Sequence, residues 1–293
     1  MNQIERQPEL LDERYEQFFN DLTRKVSEIK RARQQLHPSD FSRTYKRWRR
    51  DFIQQYPEFQ KMIETIFGIN SFIRSHENFN YHREALVREQ QVKELINLAN
   101  WQHQATEVLV GFGWNKSLSE KFWQEVRSFY EIFSKYPEDF EGYKRGVTGQ
   151  ARAFLILQEI GYSPRLATPK EDVLEGTDFY IFLPGEKESE AIRTQIKLSL
   201  QRGESIVEVA DCGSPSIIID GEQHQTIVQE EATTKLPQIR EICEKCGNLS
   251  QRKGKMVRFL VIILNENDFD SDGRPKPGLV EKIKAEIEKK LRQ

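Results

Sequence analysis

The stretch GTDFYIFLPGEKESEAIRTQIKLS, residues 176–199, decides how the rest of the chain is read. Two short runs rich in β-branched and aromatic residues flank the charged segment PGEKESE at 184–190, which predicts two strands joined as a hairpin. Each strand carries polar residues where a buried strand is normally apolar. Alternation puts Gln195, Lys197 and Ser199 on one face of the second strand, with Ile196, Leu198 and Leu200 on the other. A hairpin centred near Lys187 brings Asp178 opposite the neighbourhood of Ile196, so a carboxylate, an amide and an ammonium group gather in one place.

That set has a chemical use. Mg²⁺ takes hard oxygen ligands and usually only one or two carboxylates, leaving its other positions to water and phosphate. Asp178 supplies the charge, while the Gln195 side-chain oxygen and the carbonyl of Ile196 complete the protein's share. Lys197 is placed to orient an attacking water or to stabilise charge on a phosphoryl group. The same polar residues would also suit an exposed hairpin edge that faces water.

Upstream, GVTGQARAFLILQEIGY at 146–162 reads as a helix closed by Gly161, and TPKEDVLEGTDFYIF at 168–182 leads from it into the first strand. With TQIK at 194–197, these segments resemble the PD-(D/E)XK nuclease superfamily, the restriction-endonuclease-like fold. In that family a helix with G, an E four residues on, then L and a G-aromatic end precedes a strand carrying D and a strand carrying (D/E)xK. Gly146, Leu157, Gly161, Tyr162, Asp178 and Lys197 stand where the pattern asks. The resemblance implies an αβββαβ core with a central mixed sheet and a metal-dependent nuclease acting on DNA with Mg²⁺ or Mn²⁺. It assigns catalytic roles to Asp178, Gln195, Lys197 and Gln150, with Asp178, Gln195 and Ile196 as metal ligands.

Two positions depart from the family. Gln150 stands where relatives carry Glu on the helix, and Gln195 takes the first place of the (D/E)xK pair. On the helix Gln150 shares a stripe with Gly146, Ala153, Phe154 and Leu157, whereas Glu141 and Glu159 lie on the far side. The acids placed to compensate are Asp172 and Glu175 in the segment before the strand, with Asp172 a further candidate ligand or else a turn or cap residue. The rival implication is a catalytically inactive module that kept the fold and binds nucleic acid or a protein partner. An RNA substrate also stays open.

Working outward, residues 1–140 read as a helical domain of about five helices. Leu11, Tyr15, Phe18, Leu22, Val26, Ile29, Ala32 and Leu36 recur three or four apart, and HPSD, YPEF, GFGWNKS and YPED punctuate the segments. Residues 141–293 form the α/β domain, with further strands at ESIVEVA, SIIID and VRFLVIIL, a helix near 225–246 and a closing amphipathic helix. A phosphate-binding loop is not among these features, because GFGWNKS lacks both a preceding strand and a GK(S/T) ending.

Charge balances overall, 44 Lys and Arg against 46 Asp and Glu, so any polyanion contact must come from local clustering. Residues 24–50 provide it, with Arg43, Lys46, Arg47, Arg49 and Arg50 around Trp48 and Tyr45 as candidate nucleic-acid contacts. The plainer reading is a solvated helix face. CEKCGN at 243–248, with Cys212 and His224, offers an incomplete zinc set, since Cys243 and Cys246 also fit the apolar face of a helix. His37, His76, His82 and His103 have no acid or nucleophile at a suggestive spacing. Three scattered cysteines and the lack of a long apolar run predict a cytoplasmic protein without membrane contact, and a homodimer is a candidate state.

Overall fold

The computed structural model describes residues 8–182, 192–199, 205–212, 217–219, 222–224 and 257–291. The chain opens with five α-helices: α1 (Pro8–Gln35), α2 (Pro38–Gln55), α3 (Gln60–Tyr81), α4 (Arg88–Phe112) and α5 (Lys116–Phe133). Then come α6 (Phe140–Ile160), β1 (Ser163–Leu166), α7 (Pro169–Glu175), β2 (Phe179–Phe182) and β3 (Ile192–Ser199). β4 (Ile206–Cys212), β5 (Ile217–Ile219), β6 (Glu222–His224), β7 (Val257–Asn265) and α8 (Leu279–Leu291) complete the described elements. The expected helix near 225–246 lies outside the described residues, as do the cysteines of CEKCGN.

Contacts divide the chain into two compact units that do not follow a single cut near residue 140. The first comprises Met1–Leu86 with Asn115–Glu141, and the second Val87–Trp114 with Gly142–Gln293. Helix α4 therefore belongs with the strands, because the buried His103 and Thr106 on it find their partners on α7 and α6.

The first unit is helical and closes on aromatic rings. Pro38 stands in the first turn of α2, where its missing N–H costs no helix bond, and the bend it imposes separates α2 from α1. Phe18 and Leu22 of α1 are buried, as are Phe52 of α2, Phe67 of α3 and Phe129 of α5. Their rings meet edge-on or tilted, Phe18 with Tyr56 at 5.4 Å and Phe67 with Phe129 at 5.0 Å.

In the second unit α6 ends because Gly161 adopts φ +97°, while Tyr162 and Gly161 return their N–H groups to Leu157 and Gln158. The Gly-aromatic pair is thus a helix stop whose tyrosine enters the core. The main sheet has the order β1-β2-β3-β7-β4, with β3 parallel to β7 and the other neighbours antiparallel. Ala153, Ile156 and Leu157 of α6 and Ile283 and Ile287 of α8 pack on Phe179, Ile196, Val207, Leu260, Ile262 and Leu264. Each of these side chains other than Ala153 contributes about 1.5–3 kcal/mol by leaving water. Val261 and Ile263, on the other face of β7, are buried too, which explains the unbroken apolar run FLVIIL at 259–264. The architecture is α/β with a helical region before it.

Candidate active site around Asp178

The hairpin predicted from the quoted stretch forms with Phe179 opposite Thr194 and Ile181 opposite Ile192. Asp178 sits one residue before β2, where the ladder with β3 ends. Its own N–H donates to the Thr194 carbonyl at 2.9 Å. The ladder would next require an acceptor for the Ile196 N–H, and the Asp178 side chain supplies it, Oδ2 accepting that N–H at 2.6 Å. The carboxylate is 3% exposed and thereby bridges the opening between the two strands.

Gln150 reaches the same carboxylate from α6, its Nε2 donating to Asp178 Oδ1 at 3.2 Å. Its neighbours Ala153 and Leu157 lie in the core, so the expected sheet-facing stripe is present. The Gln150 Oε1 in turn accepts from the Thr106 hydroxyl of α4 at 3.0 Å. Glu141 and Glu159 are engaged elsewhere, with Arg127 and with the Trp114 indole.

A second set of contacts holds the approach to Asp178. Arg193 of β3 pairs with Glu175 at 2.5 Å, donates to the Thr177 hydroxyl at 2.9 Å and lies over the Tyr180 ring. It ties the end of α7 and the buried Thr177 to the strand that Asp178 must meet. Glu171 receives the Tyr180 hydroxyl at 2.9 Å and bonds to Thr168. Burial pushes the Glu171 carboxyl up, but the Thr168 backbone and hydroxyl, Tyr180 and Arg193 together bring it below its ordinary value. Burial, and then the bond to Glu171, push Tyr180 up to about 12.

Two expectations need correcting. Asp172 is not in a loop but on α7, and its carboxylate meets the buried His103 of α4 at 2.9 Å, while its backbone carbonyl takes the Gly176 N–H. Its place in the fold is thereby a tie between two helices. The histidines are not without acids either, since His76 stands 3.5 Å from Asp139. Both pairs join residues far apart in the chain, beyond the reach of local spacing. Thr106 and His103 had one signal in the sequence: with Ala99 and Val110 they form a single helical stripe on α4, two polar residues in an inward face.

Gln195 and Lys197 lie in β3, their backbones in register with Val261 and Ile263 of β7. The parallel pairing also sets Ile196 beside Ile262. Among the described residues no three His, Cys, Asp or Glu side chains gather as a metal site. Around Asp178 the described groups are one carboxylate that already accepts the Ile196 N–H and the Gln150 amide N–H, so a hard Mg²⁺ there would need oxygen donors turned toward it. To offer oxygen, Gln150 has to turn its amide over, and the Thr106 hydroxyl can serve either orientation because it both donates and accepts.

Of the candidate nucleic-acid contacts, Arg43, Lys46, Arg47, Arg49 and Arg50 are exposed on α2 and Trp48 is half-buried. Tyr45 is buried, its hydroxyl donating to the Phe67 carbonyl at 2.8 Å, so it is not available to stack on a base. No helix among the described residues is long and apolar enough to cross a membrane. No protein-family model, curated protein or solved structure matches the chain.

Proposed function

We propose that the second unit is a PD-(D/E)XK-type nuclease domain that hydrolyses phosphodiester bonds in DNA with Mg²⁺ or Mn²⁺. The observation that carries this reading is the convergence of α6, the start of β2 and β3 on one carboxylate, through Gln150, Asp178 and Ile196. The order of α6, three strands and a later strand parallel to β3 accords with an αβββαβ core.

A bound divalent cation would neutralise phosphoryl charge and acidify a water. Asp178 would hold it, with the Gln150 and Gln195 amide oxygens and the Ile196 carbonyl as neutral donors. Lys197 would orient the water for in-line attack and stabilise charge developing on the phosphate. Asp178 also keeps the Ile196 N–H satisfied, so one side chain couples strand geometry to the reaction.

The second reading, a catalytically silent module of the same fold, is favoured by the Gln150 amide that already faces Asp178 where relatives present a second acid. Purified protein incubated with plasmid, linear and single-stranded DNA in Mg²⁺ or Mn²⁺ separates the two. The nuclease reading expects cleavage that chelation stops and that Asp178→Asn and Lys197→Ala each reduce at least 100-fold, on the scale of losing a transition-state contact. Asn is chosen because its amide oxygen can still accept the Ile196 N–H. Intact DNA under every condition, or cleavage unchanged by either substitution, would defeat it.

A further inference from the structure

The exposed face of α2 carries Arg43, Lys46, Arg47 and Arg50 at the spacing i, i+3, i+4, i+7, a single stripe about 10 Å long. The opposite face, Phe41, Tyr45 and Phe52, is buried in the first unit. Lys46 and Arg47 make no ion pair among the described residues. Arg43 and Arg50 touch Asp40 and Asp51 only at 3.8 and 3.7 Å, with the arginines 82% and 68% exposed, contacts that water and salt readily exchange. A shallow groove lined by Lys46, Arg49, Arg50, Ile53 and Gln54 runs beside the stripe.

Not every cation in this region is free to meet a ligand. Lys25 lies 5.5 Å over the Trp48 ring and Arg33 5.4 Å over the Phe41 ring, so both serve packing within the helical unit. The aromatics are equally committed. Phe41 and Phe52 are buried, Tyr45 is tied to Phe67, and Trp48 is half-buried beneath Lys25. Single-strand binding relies on exposed rings on which bases stack, and α2 offers none of its fully buried aromatics for that purpose.

We infer that this face of α2 docks the phosphate backbone of a nucleic-acid duplex, without reading sequence and without base stacking. Over about 10 Å a duplex, at one charge per ~1.7 Å of axis with both strands counted, presents roughly six phosphates, enough to engage all four cations. The shared chemistry is the phosphodiester duplex, whether DNA or RNA. The inference rests on the reading of the chain as a nucleic-acid enzyme, but its test does not use cleavage.

Fluorescence anisotropy of the full chain, in chelator to keep the nucleic acid whole, would compare a labelled DNA duplex, the same single strand and a duplex RNA across a salt series. Four phosphate contacts predict a log–log salt slope of about −3.6 for the DNA duplex, with the single strand bound more weakly. The double substitution Arg43→Gln/Arg47→Gln, at exposed positions, should halve that slope to about −1.8 and leave the melting temperature unchanged. Tighter binding of the single strand, a slope unaffected by the substitutions, or no binding of any of the three, as a face reserved for an acidic protein would give, overturns the inference. The duplex RNA arm tells which source of backbone is preferred. If the unsubstituted chain bound none of the three yet cleaved DNA in the separate Mg²⁺ assay, this surface alone would fall; duplex binding with no cleavage in that assay would sink the nuclease reading alone.

Discussion

Asp178 performs two tasks that a mutational test must keep apart. Its carboxylate closes the gap where β2 leaves β3, and it is the one acid on which Gln150 converges. The Thr106 hydroxyl, fully buried on α4, fixes that amide from behind and acts only by positioning. Thr106→Val preserves shape and removes the hydroxyl, leaving the Gln150 oxygen short of a donor at a cost of about 1 kcal/mol of stability. We expect the Mg²⁺ concentration for half-maximal thermal stabilisation and for cleavage to rise roughly tenfold, with Thr106→Ser restoring both. A loss of stability with the Mg²⁺ dependence unmoved would reduce Thr106 to packing. Asp178 was legible in sequence from the hairpin that sets it opposite Ile196, and Gln150 from the resemblance, with helical periodicity giving it a sheet-facing stripe. Thr106 was not, because its bond to Gln150 spans 44 residues.

Among the elements, the short helix α7 leads directly into the segment that carries Asp178. It begins with a reciprocal cap between Thr168 and Glu171, has Pro169 in its first turn and stops at Gly176 with φ +67°. Those signals were present in TPKEDVLEG, but seven residues are too few for periodicity to show a helix. β1, the segment SPRL, was hidden for another reason: Pro164 argues against a strand unless it lies at an edge, which is where β1 stands in the sheet. The pairing of β3 with β7 depends on a distant segment and could not be read locally. Arg193 joins α7 to β3 while itself 11% exposed. Arg193→Met should therefore cost about 2–3 kcal/mol in chemical denaturation, because the part-buried Glu175 and the buried Thr177 lose the Arg193 guanidinium that ties them to β3. A loss below about 0.5 kcal/mol would place this pair with ordinary surface contacts.

At the scale of the molecule, acid stability has an identifiable source in the first unit. Burial, outweighing Asp139 and Glu77, holds His76 below its ordinary value of 6.5. The unfolded chain then takes up the proton first, so the stability contributed is complete above about pH 6.5 and falls as pH drops through the folded value. Thermal denaturation followed from about pH 8 to 5 should show this decline, and His76→Gln should flatten that part of the profile. An unchanged profile in the variant would remove His76 as the cause. Sequence composition located the helical and strand-bearing regions, yet it could not assign α4, whose amphipathic pattern is compatible with either neighbour until His103 and Thr106 meet Asp172 and Gln150. That assignment governs how the protein can be divided and made. A ribosome delivers residues 87–114 before the strands they are grouped with, so this segment cannot complete its native contacts until those strands emerge. A truncated chain starting at residue 142 would be born without the helix that steadies its proposed catalytic amide.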